Sequence, residues 1–563
     1  MIKHTTKLYK HLHLIRDMVH IKLSLLWFIS WSKSNSTLVA TLVQSVTARF
    51  EKLAITRGRQ AAISEMKASR LAFTRWLCGR PLSGSVGAPI TRNGLPKVIP
   101  LVVRSEIIKT RDKWLIKAVI TCLSMSRFFK GGSPVDLDPI TRGADPKLPS
   151  RPEVLLAMRK LGITPGQDRP TNWKFDWVVS AGPNGPSISS SLSDLLKFNG
   201  LFRDQVNVIL PELLPSIDKL LSWEKSFKLS DLLGLNKYKD DSLRKLSVKE
   251  DKEGKSRVFA IFDYWSQTTL SPLHNWIYDL LRDIPTDCTF NQAKGVDLIQ
   301  QFKSRKNFYS YDLKSATDRF PVVFQERVLS LLIGLDYAKA WRTIMTRESF
   351  RFPGVEIPIK WGTGQPLGAK SSWAMFTLCH HIIVHIASIR SNSDAHYVIL
   401  GDDIVLRGKA LATEYKRIMS DLGVEISSQK THVSKDTFEF AKIWSHKGQN
   451  LSGFPIVGLA ETLMKPLEMA VLFVFECPTK GYHYSIDPRS VSSFFEPVAT
   501  WNINHHRKAV WTADKVCWYF SFLSWLVTKD GGWAKYIAQS ASLVASPQLC
   551  NDLFSQVIKE KWA

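Results

Sequence analysis

Short apolar runs alternate with longer, helically periodic segments in the middle of the chain. Residues 308–313 and 397–406 are short runs with the length of strands, and 397–406 is also rich in Val, Ile and Leu. Residues 321–349, 371–390 and 410–422 have the apolar spacing of helices. Strands and helices mixed in this way predict an α+β core.

The charge balance indicates a polyanionic partner. Lys and Arg number 76 against 50 Asp and Glu, which gives a formal net charge of +26. An excess of this size favours nucleic acid or an anionic membrane surface. The apolar patch Leu23 to Trp31 and the aromatic run Val516 to Val527 are too short to span a bilayer, and no transmembrane segment is expected.

Cysteines and histidines lack the spacing of a metal or disulfide framework. The seven cysteines are scattered without a C-x-x-C pair, which predicts free thiols in a reducing compartment. His380, His381 and His385 form a cluster, but no acidic or Cys partner stands nearby in the sequence. We therefore expect core or helix-surface histidines rather than a zinc site.

Two adjacent acids interrupt the apolar segment 397–406. Gly401, Asp402 and Asp403 suit a tight turn, so this segment is predicted to be a hairpin with carboxylates at its tip. Two like charges side by side are costly unless a cation balances them, and a divalent ion is the usual partner. Alone, such a turn is more often a solvated corner.

Two further acids follow another predicted strand. Asp312 lies at the end of segment 308–313, and Asp318 follows where a helix is expected to begin. A carboxylate from a separate strand is what Asp402 needs for a two-metal site, because the two ions must be bridged by acids of different elements. On their own, Asp312 would be a solvated strand-end acid and Asp318 a helix N-cap.

Two other segments have the composition of a nucleotide site. Residues 362–372 contain three glycines and a proline ahead of a helix, which predicts a flexible loop with free backbone N–H groups for a phosphate. A plain helix-capping loop is the alternative. Lys255 and Arg257 alternate on entry to an apolar strand, so both would lie on one face and could grip a triphosphate. An ordinary solvated charge run would look the same.

In their order along the chain, these elements resemble the motif series of viral RNA-dependent RNA polymerases, and they are most similar to the mitovirus (narnavirus-like) replicases. The resemblance covers roughly residues 180–460 and depends on the ordered set rather than on any single stretch. Besides the segments above, it includes Gly-Pro-Asn-Gly-Pro (182–186), Asp-Tyr-Trp-Ser-Gln-Thr (263–268), Phe-Asn-Gln (290–292) and Phe-Ala-Lys (440–442).

The resemblance implies a role for each candidate residue. Asp312 and Asp402 would be the principal ligands of two Mg²⁺ or Mn²⁺ ions, with Asp403 as a supporting acid. Asp318 would sense the 2′-hydroxyl of the incoming ribose. The other implied roles are NTP phosphate binding by Lys255 and Arg257, a motif B loop containing Gly368 and Ser372, and protonation of the leaving pyrophosphate by Lys430.

One departure from the family pattern concerns the ribose. In many positive-strand polymerases an asparagine stands four residues after the motif B Ser or Thr and helps to read the ribose. Phe376 occupies that position here. Ribose selection would then depend on Asp318 and Ser372. The hairpin also reads Leu-Gly-Asp-Asp instead of the commoner Tyr-Gly-Asp-Asp.

The resemblance further implies a right-hand fold with fingers, palm and thumb. Asp312 and Asp402 are then expected on neighbouring strands of an antiparallel palm sheet. The implied regions are a basic N-terminal extension of unassigned role (1–150), fingers with motif F (151–304), a palm with motifs A to E (305–450, with a fingers insertion at about 337–362) and a helical thumb (451–563).

The implied activity is RNA synthesis from NTPs on an RNA template, by attack of an RNA 3′-hydroxyl on an α-phosphate with two metal ions assisting. Template, product duplex and NTPs would be the partners, and a host mitochondrion the location, or otherwise the cytoplasm. Two alternatives stay open: a reverse transcriptase-like palm polymerase, and a catalytically silent RNA-binding relic. The intact acids Asp312, Asp402 and Asp403 argue against a relic.

Overall fold

The computed structural model describes residues 34–483 and the isolated positions 25, 515, 519 and 523; within the main range it leaves out 85, 177, 179, 199, 229–231, 233–242, 303–306, 428–430 and 463–464. The chain divides into two compact units. Unit 1 comprises Met1–Arg49, Ile99–Phe128 and Leu451–Ala563, and unit 2 comprises Phe50–Val98 and Phe129–Asn450. The four regions expected from the sequence stay a prediction.

The described part of unit 1 is helical. Asp112 is the N-cap of the helix Lys113–Leu123, because its side chain accepts a hydrogen bond from the Trp114 N–H. The helical thumb expected over 451–563 stays a prediction, and the helices in its continuously described part end at Thr479. The other elements here are Leu101–Thr110, Met125–Phe128 (3₁₀), Ile456–Thr462, Pro466–Val471, Leu472–Glu476 (π) and Cys477–Thr479, and Ser36–Arg57 begins in this unit.

Unit 2 combines helices with three small sheets, which confirms the α+β prediction. The helix expected over 321–349 is in fact two helices, because Gly334 adopts φ 145° between them. The helices of unit 2 are Arg59–Leu77, Asp138–Thr141, Arg151–Lys160, Ser187–Leu195, Gly200–Ile209, Pro211–Leu213 (3₁₀), Leu214–Phe227, Tyr264–Asp283, Gln292–Gln301, Ala316–Arg319, Val322–Leu332, Leu335–Thr346, Ser372–Arg390 and Lys409–Asp421.

A four-stranded antiparallel sheet carries the predicted acids. Its strands are β3 (Phe308–Asp312), β6 (Tyr397–Leu400), β7 (Asp403–Arg407) and β8 (His432–Ser434), in the spatial order β6-β7-β3-β8. All three neighbouring pairs are antiparallel. The expected hairpin is therefore confirmed, and so is its position beside the strand that ends in Asp312.

Two further sheets lie in unit 2. The first contains β1 (Arg244–Asp251), β2 (Lys255–Phe262), β4 (Phe350–Phe352) and β5 (Val355–Ile359). Here β1 and β2 form an antiparallel hairpin, and β4 pairs with β1, so the spatial order is β2-β1-β4-β5. The second contains β9 (Thr437–Phe440), β10 (Ile443–His446) and β11 (Gln449–Asn450), in the spatial order β11-β10-β9.

The helix Ser372–Arg390 is the centre of the main core. It is apolar around most of its circumference, and residues from Ser372 to Ser388 are buried along it. Among the described helices, this one is long and apolar enough to cross a membrane, but 83% of its apolar window is buried inside the protein. A buried core helix passes the same length and composition test, so this is weak evidence for a membrane span.

His380, His381 and His385 lie along the buried helix Ser372–Arg390, and the described cysteines are core residues, as expected. His381 hydrogen-bonds Asp287 and the Tyr397 hydroxyl from its two ring nitrogens, and burial lowers the pKa of His385 to about 4. The described cysteines are unpaired and buried; they are Cys78, Cys122, Cys288, Cys379 and Cys477.

Candidate active site

The tip of the β6–β7 hairpin is a two-residue turn. Leu400 pairs with Asp403 across the hairpin, so Gly401 and Asp402 form the turn. Gly401 has φ 59°, which suits the first turn position of a type II′ hairpin. A Cβ on Gly401 would lie 2.7 Å from the Trp373 indole nitrogen, so both the backbone angle and the packing require glycine here.

The acids of two strands meet at this tip. Asp312 is the register partner of Asp403 in the β3–β7 pair. Asp402, which precedes Asp403 in the chain, lies in the turn and is exposed. Burial, followed by the negative charges of three neighbours, raises the pKa of Asp403 to about 7; these neighbours are Asp402, Glu439 and Asp312. The structure thus gathers the three acids that the sequence placed in two separate segments.

Sequence reasoning missed Glu439. It lies in β9 between the buried Phe438 and Phe440, and its N–H donates to the Ser310 hydroxyl of β3 at 3.2 Å. A single acid between two phenylalanines was the available signal in the sequence. Lys442 opposes the repulsion, since its charge lowers the pKa of Asp403. The acidic cluster therefore has a fourth carboxylate and a compensating lysine.

The donor set suits a divalent cation. In the part of the chain that the structure describes, no three His, Cys, Asp or Glu side chains are grouped as a preformed metal site. Mg²⁺, however, keeps several waters and binds through one or two carboxylates, and Mn²⁺ also prefers oxygen donors. The charge repulsion that raises the pKa of Asp403 is also what such an ion would relieve. The acids Asp312, Asp402 and Asp403 therefore fit the implied ions.

His380 holds the hairpin tip from the core. Its Nδ1 lies 2.8 Å from the Gly401 carbonyl oxygen, and its Nε2 lies 2.7 Å from the Tyr415 hydroxyl. Burial lowers the pKa of His380 to about 3, so the ring is neutral. Because a carbonyl can only accept, Nδ1 carries the proton and the Tyr415 hydroxyl donates to Nε2. The imidazole thus fixes the turn to the helix Ser372–Arg390.

Close backbone contacts explain the glycines of the loop 362–368. A Cβ on Gly362 would lie 2.4 Å from the Thr141 carbonyl oxygen, and one on Gly368, at φ 117°, would lie 2.3 Å from the Ala260 carbonyl oxygen. The Gly362 N–H also donates to the Ile140 carbonyl. The expectation of free N–H groups is therefore wrong for this glycine, whose small size serves packing of backbone on backbone.

Polar contacts hold the next part of the loop. Lys370 Nζ pairs with Asp176 at 2.6 Å, and the Lys370 N–H donates to Gln267 Oε1 at 2.7 Å. The Ser371 N–H donates to His274 Nδ1 at 3.0 Å. Since Gln267 and His274 both belong to the helix Tyr264–Asp283, this helix sets the conformation of the loop.

Ser372, the predicted motif B serine, begins the helix Ser372–Arg390. Its side chain is buried, and its hydroxyl has no hydrogen-bond partner among the residues that the structure describes. Gln365 Nε2 donates to the Ser372 carbonyl at 2.7 Å and fixes the backbone there. A buried hydroxyl without a partner is uncommon in a folded core and marks a position where a ligand could supply one.

Asp318, the predicted ribose sensor, lies in the short helix Ala316–Arg319. Trp361 Nε1–H donates to Asp318 Oδ1 at 3.1 Å. Burial raises the pKa of Asp318 to about 6, and the bond from Trp361 and the charge of Arg319 oppose this. The sequence did not indicate Trp361, because 43 residues separate the two side chains.

The basic pair expected to bind phosphates lies on β2. Lys255 and Arg257 are both exposed on alternate residues, and Arg257 Nε pairs with Asp251 at 2.5 Å. The strand reaches the glycine loop further on, where the Ala260 N–H donates to the Leu367 carbonyl. Their phosphate-binding role stays a prediction. Lys430 lies outside the described residues.

The fold and the site define a class of protein. An antiparallel sheet joins acids of two strands at one end, beside a glycine loop that leads into a buried helix, as in the palm of a nucleic-acid polymerase. The model of the mitovirus RNA-dependent RNA polymerase family matches residues 169–563. The chain belongs to this family.

Three relatives illustrate the range of similarity. The RNA-directed RNA polymerase of Cryphonectria parasitica mitovirus 1 is 32% identical over 394 residues, with 63% of this chain and 46% of that protein covered. The chain thus matches less than half of that polymerase's length. Two uncharacterized mitochondrial proteins of Arabidopsis thaliana are 34% and 36% identical and cover 27% and 29% of this chain, and 76% and 68% of their own lengths.

Solved structures give a more distant comparison. The crystal structure of the RNA-dependent RNA polymerase of a human picobirnavirus is 16% identical, with a TM-score of 0.35, and covers 48% of this chain and 61% of that one.

Proposed function

We propose that the chain is an RNA-dependent RNA polymerase that copies an RNA template from NTPs. The observation that supports this most directly is the β3–β7 register, which sets Asp312 opposite Asp403 and next to Asp402. Membership of the mitovirus polymerase family supports the same activity. The net charge of +26 suits a channel for template and product duplex.

Asp312 and Asp402, supported by Asp403, would hold two Mg²⁺ or Mn²⁺ ions. Bound there, such ions supply charge neutralisation for the attacking and leaving oxygens of nucleotidyl transfer. The remaining work of the protein is positioning. In this proposal Asp318 accepts a hydrogen bond from the ribose 2′-hydroxyl and the Ser372 hydroxyl faces the sugar.

The basic residues would act on the phosphates. Lys255 and Arg257 would bind the triphosphate of the incoming nucleotide, with Arg257 exchanging its ion pair to Asp251 for a phosphate oxygen. Lys430 would protonate the leaving pyrophosphate. Gly368 would keep the motif B loop close to β2, where its φ of 117° and its contact with Ala260 exclude a side chain.

The test is incorporation of labelled NTPs on an RNA template by the intact chain and by Asp402→Asn. This substitution removes the charge with little change of shape, so we expect incorporation to fall by at least about 100-fold. Chelation of divalent ions should abolish synthesis, and added Mg²⁺ or Mn²⁺ should restore it.

Asp394→Asn is a matched control. Asp394 is an exposed acid that precedes β6, at the opposite end of the strand from Asp402. Its replacement should leave incorporation unchanged. Full activity of Asp402→Asn would refute the site assignment. A preference for dNTPs would favour the reverse transcriptase-like alternative, and RNA binding without synthesis would favour the relic.

A mitochondrial location is part of the proposal. It is supported by the mitovirus family match and by the names of the two Arabidopsis relatives, which are mitochondrial proteins. Fractionation of host cells should recover the chain with mitochondria, and recovery in the cytosol alone would contradict this location.

A further inference from the structure

Asp318 is held by a tryptophan. Trp361 Nε1–H donates to Asp318 Oδ1 at 3.1 Å, and the indole packs edge-on against Phe350 with the ring centroids 4.8 Å apart. The indole is 8% exposed, so this bond is shielded from water. An indole N–H can only donate, and it therefore favours the ionised carboxylate and fixes one of its oxygens.

The backbone around the two side chains is equally constrained. The Gly364 N–H donates to the Asp318 carbonyl at 3.0 Å, and the Gln365 N–H donates to the Thr317 carbonyl at 3.1 Å. A Cβ on Gly364 would lie 2.4 Å from the Asp318 carbonyl oxygen. The segment that carries Trp361 and the helix that carries Asp318 are thus locked together, and the indole is held at the carboxylate.

The second carboxylate oxygen has a different environment. Within the described residues, Asp318 Oδ2 receives no hydrogen bond from a side chain or from the backbone. Phe376, at the position where many related polymerases have an asparagine, is 1% exposed and packs edge-on against Phe320. A phenyl ring offers no polar atom, so the indole is the group that orients this carboxylate.

We propose that Trp361 is a positioning residue for ribose selection. Its N–H holds Oδ1 of Asp318 and thereby leaves Oδ2 to accept a hydrogen bond from the 2′-hydroxyl of the incoming nucleotide. The inference rests on the proposed polymerase function and deepens it. A dNTP lacks this hydroxyl and would leave a partly buried carboxylate oxygen unpaired, which is a strong source of discrimination.

The experiment compares kcat/KM for ATP and dATP on one RNA template, in the intact chain and in Trp361→Phe. The substitution removes the donor and keeps an aromatic ring. We expect the ATP to dATP ratio to fall about tenfold, the value of one hydrogen bond to a charged group. Trp265→Phe is the matched control, because Trp265 is also buried and donates to the Ser191 carbonyl at 2.7 Å. Its ratio should stay unchanged.

A double substitution separates positioning from a general structural effect. If Trp361 acts through Asp318, the pair Asp318→Asn and Trp361→Phe should have the same ratio as Asp318→Asn alone. If the two substitutions instead reduce the ATP to dATP ratio independently, so that their fold-changes multiply in the double variant, the inference is overturned. An unchanged ratio in Trp361→Phe, with a reduced ratio in Asp318→Asn, would overturn it as well.

Two further measurements keep the test decisive. If Trp361→Phe does not fold, benzothienylalanine inserted at position 361 replaces the N–H by sulfur in a ring of the same shape. Equilibrium dissociation constants of ATP and dATP give the ratio without turnover. If the intact chain makes no RNA but Trp361→Phe loses the binding preference for ATP, the proposed function is refuted and the inference about Trp361 stands. If the chain makes RNA and Trp361→Phe leaves the ATP to dATP ratio unaltered, the inference is refuted and the proposed function stands.

Discussion

Gly401→Ala should destabilise the tip of the β6–β7 hairpin, because a methyl group at this position would clash with a packed side chain. Gly401 has φ 59°, and a Cβ there would lie 2.7 Å from the Trp373 indole nitrogen and 2.8 Å from its Cζ2. Real Cβ atoms do not approach heavy atoms so closely, so either the indole or the turn must move. The indole also stacks on Tyr278, with the centroids 6.1 Å apart, which limits its freedom to withdraw.

The expected loss of stability in Gly401→Ala has two contributions. A left-handed backbone angle costs a residue with a side chain about 1–2 kcal/mol relative to glycine. Displacing a packed indole adds about 1–3 kcal/mol, as in other overpacked cores. We therefore expect a loss of stability of about 3 kcal/mol. If the turn gives way instead, Asp402 moves, and a displacement of about 1 Å can reduce kcat about 100-fold.

The assay combines thermal melting with NTP incorporation, and Gly354→Ala is its control. Gly354 lies between β4 and β5 at φ 80°, and a Cβ there meets nothing within 4 Å. Gly354→Ala therefore has the same kind of unfavourable backbone angle but no steric clash. Gly401→Ala should lower the melting temperature further than Gly354→Ala and should alone reduce incorporation. Equal melting shifts with full activity in both variants would refute this reasoning.

Three other predictions follow from the same contacts. Phe376→Asn should destabilise the fold by about 3–5 kcal/mol in a denaturation curve, because the ring is buried against Phe320 and the amide would lack partners. Lys370→Met and Asp176→Asn should each raise the KM for NTPs about fivefold with kcat nearly unchanged, since a partly exposed ion pair contributes about 1 kcal/mol to the loop. The pKa of Asp318 is raised to about 6, so its carboxylate is ionised above that pH and neutral below it; the ATP to dATP ratio should fall as the assay pH is lowered from about 8 to about 5.

The sequence predicted those features that depend on neighbours along the chain. Asp402 and Asp403 stand between two apolar runs, and Asp312 ends another, so the hairpin and the flanking strand followed from local pattern alone. The pairing of β3 with β7 then brought the acids together as expected. Only the break at Gly334 within 321–349 went unpredicted among the helices of this region, because a single glycine in a helical pattern is compatible with continuation.

Contacts between distant segments could not be predicted in this way. Trp361 is 43 residues from Asp318, and His380 is 21 residues from the Gly401 carbonyl it holds. Glu439 joins the acids through its contact with Ser310, 129 residues away. No local pattern indicates these contacts, because each depends on the packing of one element on another.

Packing explains two unexpected features of the candidate nucleotide site, Phe376 and the hydrogen bond from Trp361. Phe376 lies inside the helix–helix core, where an amide would be costly, so that position cannot supply a polar group to Asp318. The loop supplies the polar group instead. Gly364 lets the loop lie directly against the Asp318 backbone, so that the Trp361 indole reaches the Asp318 carboxylate. Core packing therefore accounts for a phenylalanine at position 376, and the close approach of the loop accounts for the hydrogen bond from Trp361 to Asp318.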